Sequence, residues 1–277
     1  MPKLPGRNAL YKCGFLQHIE TIFNMLKPGT ILNRLYRQLE PAAKNRRIAD
    51  LRVGLSYVGV MLDNGASGLA AVLPDVTARG CAVLSDAGRY AGAPATDLLR
   101  YQKDGKNVLH RAIGLATANA LIELSCDTTE DREATTYFNL QPGEKVAMVG
   151  LFSPLTERIR ATGALLTVIE KNPQRLALLS PQEKQRALQD CDIAIITATT
   201  LLNNTLEETI GALGSPRLIA IMGPSTPLLP DIFQDTPVTH LGGAVVADSA
   251  RVMQIISEGG GTPALRTYLR FVNLIRK

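Results

Sequence analysis

The chain has 277 residues, a net charge of +5, and 45% apolar residues with no Trp. That length suits one large or two modest domains with a sizeable core, and no apolar run approaches the roughly 18 residues of a membrane span. Basic residues are scattered, densest at Arg37, Lys44, Arg46 and Arg47, without the aromatic-laced basic face of a nucleic-acid binder. A solvated surface or a small anionic ligand accounts for them, and neither nucleic acid nor a membrane is an expected partner.

The N-terminal stretch MPKLPGRNALYKCGF lacks the apolar segment of a secretory signal, so a cytoplasmic protein is expected. Phe15, Ile19, Ile22, Phe23 and Leu26 recur at helical spacing and predict a helix over 15–27, broken by Pro28-Gly29. Ile31, Leu32, Leu35 and Leu39 resume the pattern until Pro41. RVGLSYVGVML, residues 52–62, reads as one strand. Asn64-Gly65 then predicts a hairpin turn, and GLAAVL the returning strand. Residues 85–106 read as irregular. Val108, Leu109, Ala112, Ile113, Ala116, Ala120 and Leu124 mark another helix. The first half, 1–125, is therefore α+β, and the polar stretch Ser125 to Glu144 reads as a linker.

The second half, 126–277, alternates short apolar runs with capped segments. Strands are predicted near 145–150, 165–170, 192–197, 217–222 and 237–241. Ser153-Pro154, Ser180-Pro181-Gln182-Glu183 and Asn204-Thr205-Leu206-Glu207 carry helix-start chemistry between them. Continuous apolar strands alternating with helices imply a parallel sheet covered on both faces, a Rossmann-like domain.

Ligands of such sheets bind beyond the carboxyl ends of the strands. Gly223, Pro224, Ser225 and Thr226 follow the fourth strand and offer hydroxyls and amides for a carboxylate or phosphate. Glu170 ends the second strand, where nucleotide-binding domains place an acid on ribose. Thr199, Thr200 and Asn203 end the third, and Gly242-Gly243 the fifth. Ser153 opens a helix whose start could take a small anion. Only Gly150 of the three dinucleotide-binding glycines is present, so NAD and FAD are not expected and no cofactor is assigned. Tyr57, between Gly54 and Gly59, could present its hydroxyl to an interdomain cleft, or be a core aromatic. Asp248 and Ser249 read as helix caps. The four Cys and three His residues are dispersed without CxxC, so no metal ligands are assigned. Cys191 reads as a small buried residue.

Taken together, GLSYVGVMLDNG, VGLFSPL, VIEKNP, TTLLNNTLEE and MGPSTPLLPDIF resemble the family named "putative heavy-metal chelation" proteins. The resemblance implies an enolase N-terminal-like fold joined to a Rossmann-like domain, with a site in the cleft between them and a role in heavy-metal homeostasis. It implies no particular reaction. Two readings follow. One is an enzyme acting on a small anionic or heterocyclic metabolite, as in chelator biosynthesis; the other is a non-catalytic binder or carrier of a metal or metal chelate. A homo-oligomer is compatible with either.

Overall fold

The computed structural model describes residues 26–74, 84–124 and 134–276. The helix expected over 15–27 falls outside them except for residues 26 and 27, as do Cys13, His18, Cys81, Cys126 and the expected 125/126 domain boundary. Among the described residues, no helix is long and apolar enough to cross a membrane.

The first half begins with α1 (Thr30–Ala43), entered through Gly29 at φ +82°. Its buried face is Ile31, Leu32, Leu35 and Leu39, as their spacing predicts, but the helix runs through Pro41 instead of stopping there. Proline in the last turn removes one backbone donor without having a long helix beyond it to break. The strand expected over 52–62 is two strands. β1 (Ile48–Val53) and β2 (Tyr57–Leu62) are separated by a turn in which the Gly54 N–H donates to the Tyr57 carbonyl at 2.9 Å. The Asn64-Gly65 hairpin then leads to β3 (Ser67–Ala71), with Gly65 at φ +82°. The three strands form an antiparallel sheet in sequence order. The region expected to be irregular contains two short helices, α2 (Ala95–Leu99) and α3 (Tyr101–Asp104). Segments of five and four residues are too short to reveal a 3.6-residue period. α4 (Val108–Leu121), capped by Asn107, lies against β3 so closely that Gly68 abuts its backbone.

The second half opens with α5 (Ala134–Phe138), inside the stretch expected to be linker. Phe138 is completely buried and anchors that stretch. β4 (Lys145–Val149), β5 (Leu165–Ile169), β6 (Ile193–Thr197), β7 (Leu218–Met222) and β8 (His240–Val246) are parallel, in spatial order β5-β4-β6-β7-β8. An unpredicted β9 (Leu269–Ile275) closes the far edge antiparallel to β8. The helices between strands are α6 (Ser153–Ala161), α7 (Pro181–Gln189), the short α8 (Thr199–Leu202) and α9 (Leu206–Gly211). α10 (Ser249–Ser257) and α11 (Thr262–Leu265) follow β8.

Alternation along the strands sorts the core. Ala147, Ala194, Ile196, Ile219, Ile221 and Leu241 belong to one cluster, together with buried residues of the first half, including Ile31, Leu35, Ile113 and Leu115, and others of the second, including Leu201, Leu206, Ile210 and Phe233. Val146, Met148, Ile193, Ile195, Ala220 and Met222 form a second cluster with Phe138 and Ile159. One sheet face is therefore covered in part by the first half of the chain, and the two halves share a core.

Two histidines belong to this scaffold. His240 is buried against Tyr137 and Phe138, and its Nε2 meets Asn273 Oδ1 at 2.9 Å. His110 stacks on Tyr101, and its Nδ1 accepts the Lys106 N–H at 3.3 Å. Burial holds both rings below the ordinary 6.5, with Lys106 adding to the effect at His110 and Asn273 opposing it at His240. As pH falls below about 6.5, the unfolded chain takes up protons that the folded chain refuses, so stability drops. Urea midpoints are expected to be lower at pH 5 than at pH 8, and replacing either His by Gln should reduce that difference.

Candidate functional site

At the carboxyl ends of the parallel strands, most of the polar groups serve each other. Glu170 is buried, and its Oε1 accepts the N–H groups of Lys171 (2.7 Å) and Asn172 (3.1 Å). Its Oε2 accepts the Leu151 N–H (3.2 Å) and Arg175 Nη1 (2.9 Å), and Arg175 Nη2 donates to the Leu151 carbonyl at 2.8 Å. Burial pushes the carboxyl up, but the three amides and the guanidinium outweigh it and hold it below the usual carboxylate range. Glu170 thus closes its own loop, and the Leu151 amide that could meet a phosphate is already taken. Beside it, Gly150 at φ +85° faces Thr197, where an added Cβ would lie 2.7 Å from the Thr197 methyl. Gly150 follows β4 and Thr197 ends β6, at the switch point of the sheet order.

The other strand-end candidates are engaged in the same way. Thr199 Oγ1 lies 3.0 Å from Thr197 Oγ1, and the Thr200 hydroxyl donates to the Thr197 carbonyl at 2.7 Å. Asn203 Oδ1 accepts the Thr205 hydroxyl at 2.6 Å. Ser153 is exposed at the start of α6 and supplies no side-chain cap; the N-cap position is Phe152. Asn204 is not a cap either. It takes φ +57° and Thr205 precedes α9. Gly242 lies inside β8 rather than at a strand end, because pairing with β9 carries the strand on to Val246. There, an added Cβ would strike Met222 Sδ. Tyr57 is buried in a third cluster with Leu69, Val252, Ile256, Leu265 and Leu269, and its hydroxyl lies 2.6 Å from Thr262 Oγ1. It joins β2 to α11, and burial raises its pKa. The capping box at Ser180–Glu183 and the Asp248 cap are as predicted, while Ser249 donates to the Gly65 carbonyl. Cys191 is buried, which pushes its thiol up to about 11.

The loop after β7 has a different role. Gly223, at φ +115°, sits against the Phe152 ring, and its carbonyl accepts the Thr226 N–H at 2.9 Å. This is a four-residue turn with Pro224 in its second position. The turn aims Ser225 at the first half, where Ser225 Oγ accepts the N–H of Ala71 in β3 at 2.8 Å. Asn119 of α4 locks the same joint, with Nδ2 donating to the Leu69 carbonyl (3.0 Å) and the Ser225 carbonyl (3.3 Å). Two carbonyl acceptors can be met only by the amide NH2, which settles its orientation. Asn119 Oδ1 is then left buried without a hydrogen-bond partner, and so is Thr226 Oγ1, on a residue only 2% exposed.

Both residues line one cavity of about 180 Å³ at the joint between the halves. Its walls come from β3, the end of α4, the loop after β7 and β8. They include Ser67, Ile122, Leu124, Leu228 and Ala244–Val246, with no charged side chain among the described lining residues. Of the residues predicted to bind ligand, Thr226 alone is in this wall. Asn119 was missed, since a helical Asn gives no local signal of bridging two loops. Glu170, Thr199, Thr200, Asn203, Gly223, Pro224 and Ser225 are not among the residues lining this cavity. Among the described residues, no group of three or more His, Cys, Asp or Glu could hold a metal ion.

Residues 133–275 match the family model described as "putative heavy-metal chelation", and residues 36–122 match a second model of the same description. The fold is similar to two crystal structures of proteins of unknown function from that family. For the protein from Pyrococcus horikoshii the TM-score is 0.76 at 21% identity, covering 89% of this chain and 100% of that one. For the protein from Desulfitobacterium hafniense it is 0.69 at 21% identity, covering 87% and 99%. An uncharacterised protein of Methanocaldococcus jannaschii is 26% identical over 150 residues, 52% of this chain and 58% of its own length.

Proposed function

Because the chain belongs to the family described as "putative heavy-metal chelation", we propose that it binds a small organic metabolite in the cavity between its two halves. In this reading the metabolite is a heavy-metal chelator or a precursor of one. The observation that carries it is the pair of unpartnered oxygens, Asn119 Oδ1 and Thr226 Oγ1, on residues lining one cavity. Both oxygens are closed to solvent, so a ligand reaches them only by shifting the wall, and it would then remove the cost of an unpartnered buried polar atom, about 1–3 kcal/mol each.

The chemistry of the wall narrows the ligand. Asn119 Oδ1 only accepts, so it calls for an N–H or O–H donor; the Thr226 hydroxyl can donate or accept. A wall of mixed polar and apolar groups without a cation favours an uncharged heterocycle over the anion that the strand-end loops suggested. The volume of about 180 Å³ suits a ring-sized compound, since a cavity of about 150 Å³ takes up benzene. Amide and hydroxyl oxygens are poor ligands for a soft metal ion, which prefers thiolate or imidazole. The ligand is therefore organic, and a metal would arrive bound to it. An enzyme of chelator synthesis and a carrier would share this site, and turnover of the retained compound distinguishes them.

Native mass spectrometry of the purified protein is the test, with a retained organic compound as the expected result. Thr226→Val should leave the apo protein as stable or about 1 kcal/mol more stable, by removing an unpaired hydroxyl. It should also lower retention about tenfold, the worth of one buried hydrogen bond. Ser225→Ala should instead cost about 1–2 kcal/mol through the orphaned Ala71 N–H and leave the ligand in place. Equal retention by wild type and Thr226→Val, or no retained compound, would count against the reading.

A further inference from the structure

Asn119 Oδ1 and Thr226 Oγ1 are closed to solvent although both residues line the cavity between the halves. A compound that meets them must first displace part of the wall. Most of that wall is fixed. β8 is paired on both sides, with β7 and with β9. β3 is paired with β2, and its Gly68 abuts the backbone of α4, a helix buried along most of its length.

The turn after β7, Gly223–Thr226, is held differently. Its Thr226 N–H returns to the Gly223 carbonyl within the turn. Among the described residues, its hydrogen bonds to the first half are both made by Ser225. Ser225 Oγ accepts the Ala71 N–H at 2.8 Å, and the Ser225 carbonyl accepts Asn119 Nδ2 at a longer 3.3 Å. Gly223 stands at φ +115°, yet an added Cβ there would meet only the Phe152 ring, at an ordinary 3.6 Å. Glycine is therefore required by the backbone angle and not by space, as at a pivot. Pro224 and Pro227, with φ fixed by their rings, leave the segment between them few other torsions to turn.

We propose that Gly223–Thr226 is a flap that gates the cavity, hinged at Gly223 and latched by the Ser225–Ala71 hydrogen bond. This deepens the reading of the cavity as the site of a small organic compound and rests on it. Opening breaks both bonds of Ser225 and bares Asn119 Oδ1 and Thr226 Oγ1; closing restores them over the ligand. A latch that must break in the free and the bound protein alike slows entry and release equally and leaves affinity unchanged.

The test uses 2-pyridone, an uncharged ring that brings an N–H to Asn119 Oδ1 and a carbonyl to the Thr226 hydroxyl. Nuclear magnetic resonance titration and exchange broadening give its affinity and rates. Ser225→Ala should raise association and dissociation rates about tenfold each, the worth of one hydrogen bond, with affinity within about twofold of wild type. If that variant fails to fold, hydrogen exchange of the Ala71 amide in the wild type reports the latch itself. It should slow about tenfold at 2-pyridone concentrations about ten times the dissociation constant. Unchanged rates in Ser225→Ala, or Ala71 exchange indifferent to bound 2-pyridone, overturn the flap and leave the binding site standing. A titration that does not shift the Asn119 and Thr226 resonances overturns both.

Discussion

Replacing Gly68 by Ala is expected to destabilise the protein by about 3 kcal/mol, at the upper end of the usual range for overpacking. An added Cβ at Gly68 would lie 2.3 Å from both the Ala116 carbonyl oxygen and the Ala120 nitrogen, and 2.6 Å from the Asn119 carbonyl carbon. All three are backbone atoms of α4, so no side chain can rotate away, and β3 and α4 must separate. The result should reach the cavity as well. Ser67 and Asn119, the neighbours of this contact, line the cavity, and Asn119 ties α4 to the Ser225 carbonyl. Urea denaturation gives the stability loss. Full wild-type stability in Gly68→Ala would show that the strand and helix are not so closely apposed.

The second large effect is expected at Glu207, a carboxylate only 3% exposed in α9. Its Oε1 accepts the N–H of Ile31, in the first turn of α1, at 3.0 Å. That helix starts from Gly29, which has no side chain to cap it. The missing cap comes from 176 residues away, and its negative charge sits at the positive end of the helix dipole. Glu207→Ala leaves a buried N–H unpaired and loses that charge, which together should cost about 2–4 kcal/mol. Glu207→Gln keeps an acceptor and should cost about 1 kcal/mol. Equal stability of the two variants in urea would mean that the contact contributes through packing alone.

These two sites mark where the sequence stops being readable. The parallel strands were legible because each is a run of apolar residues bounded by turn or cap chemistry, and period two assigns their faces. β9 was not: Arg270 and Asn273 interrupt its apolar pattern, and it is a strand because β8 extends to meet it. The motif ending in Glu207 has the spacing of a capping box, and local rules direct that carboxylate to its own helix. The fold directs it to another. Ser225 is a similar case. Its hydroxyl, amide and proline-rich setting suit a ligand, and the same properties suit a strut to the Ala71 amide. Choosing between them requires knowing that β3 lies opposite, which no local pattern encodes. Glu170 was placed correctly at its strand end, but the sequence does not say that Arg175 and three amides will occupy it.

The shared core bears on how the chain can be inherited and divided. Two family models cover residues 36–122 and 133–275, as though the halves were interchangeable modules. Yet Ile196, Ile219 and Ile221 of the parallel sheet lie in the same apolar cluster as Ile31, Leu35 and Ile113. A chain cut between the two segments would leave each with a wet apolar face, so neither half is a transplantable unit. They should melt in one transition rather than two. A substitution that loosens either half is then felt across the whole molecule, and compensating changes are to be sought on the opposite side of the boundary.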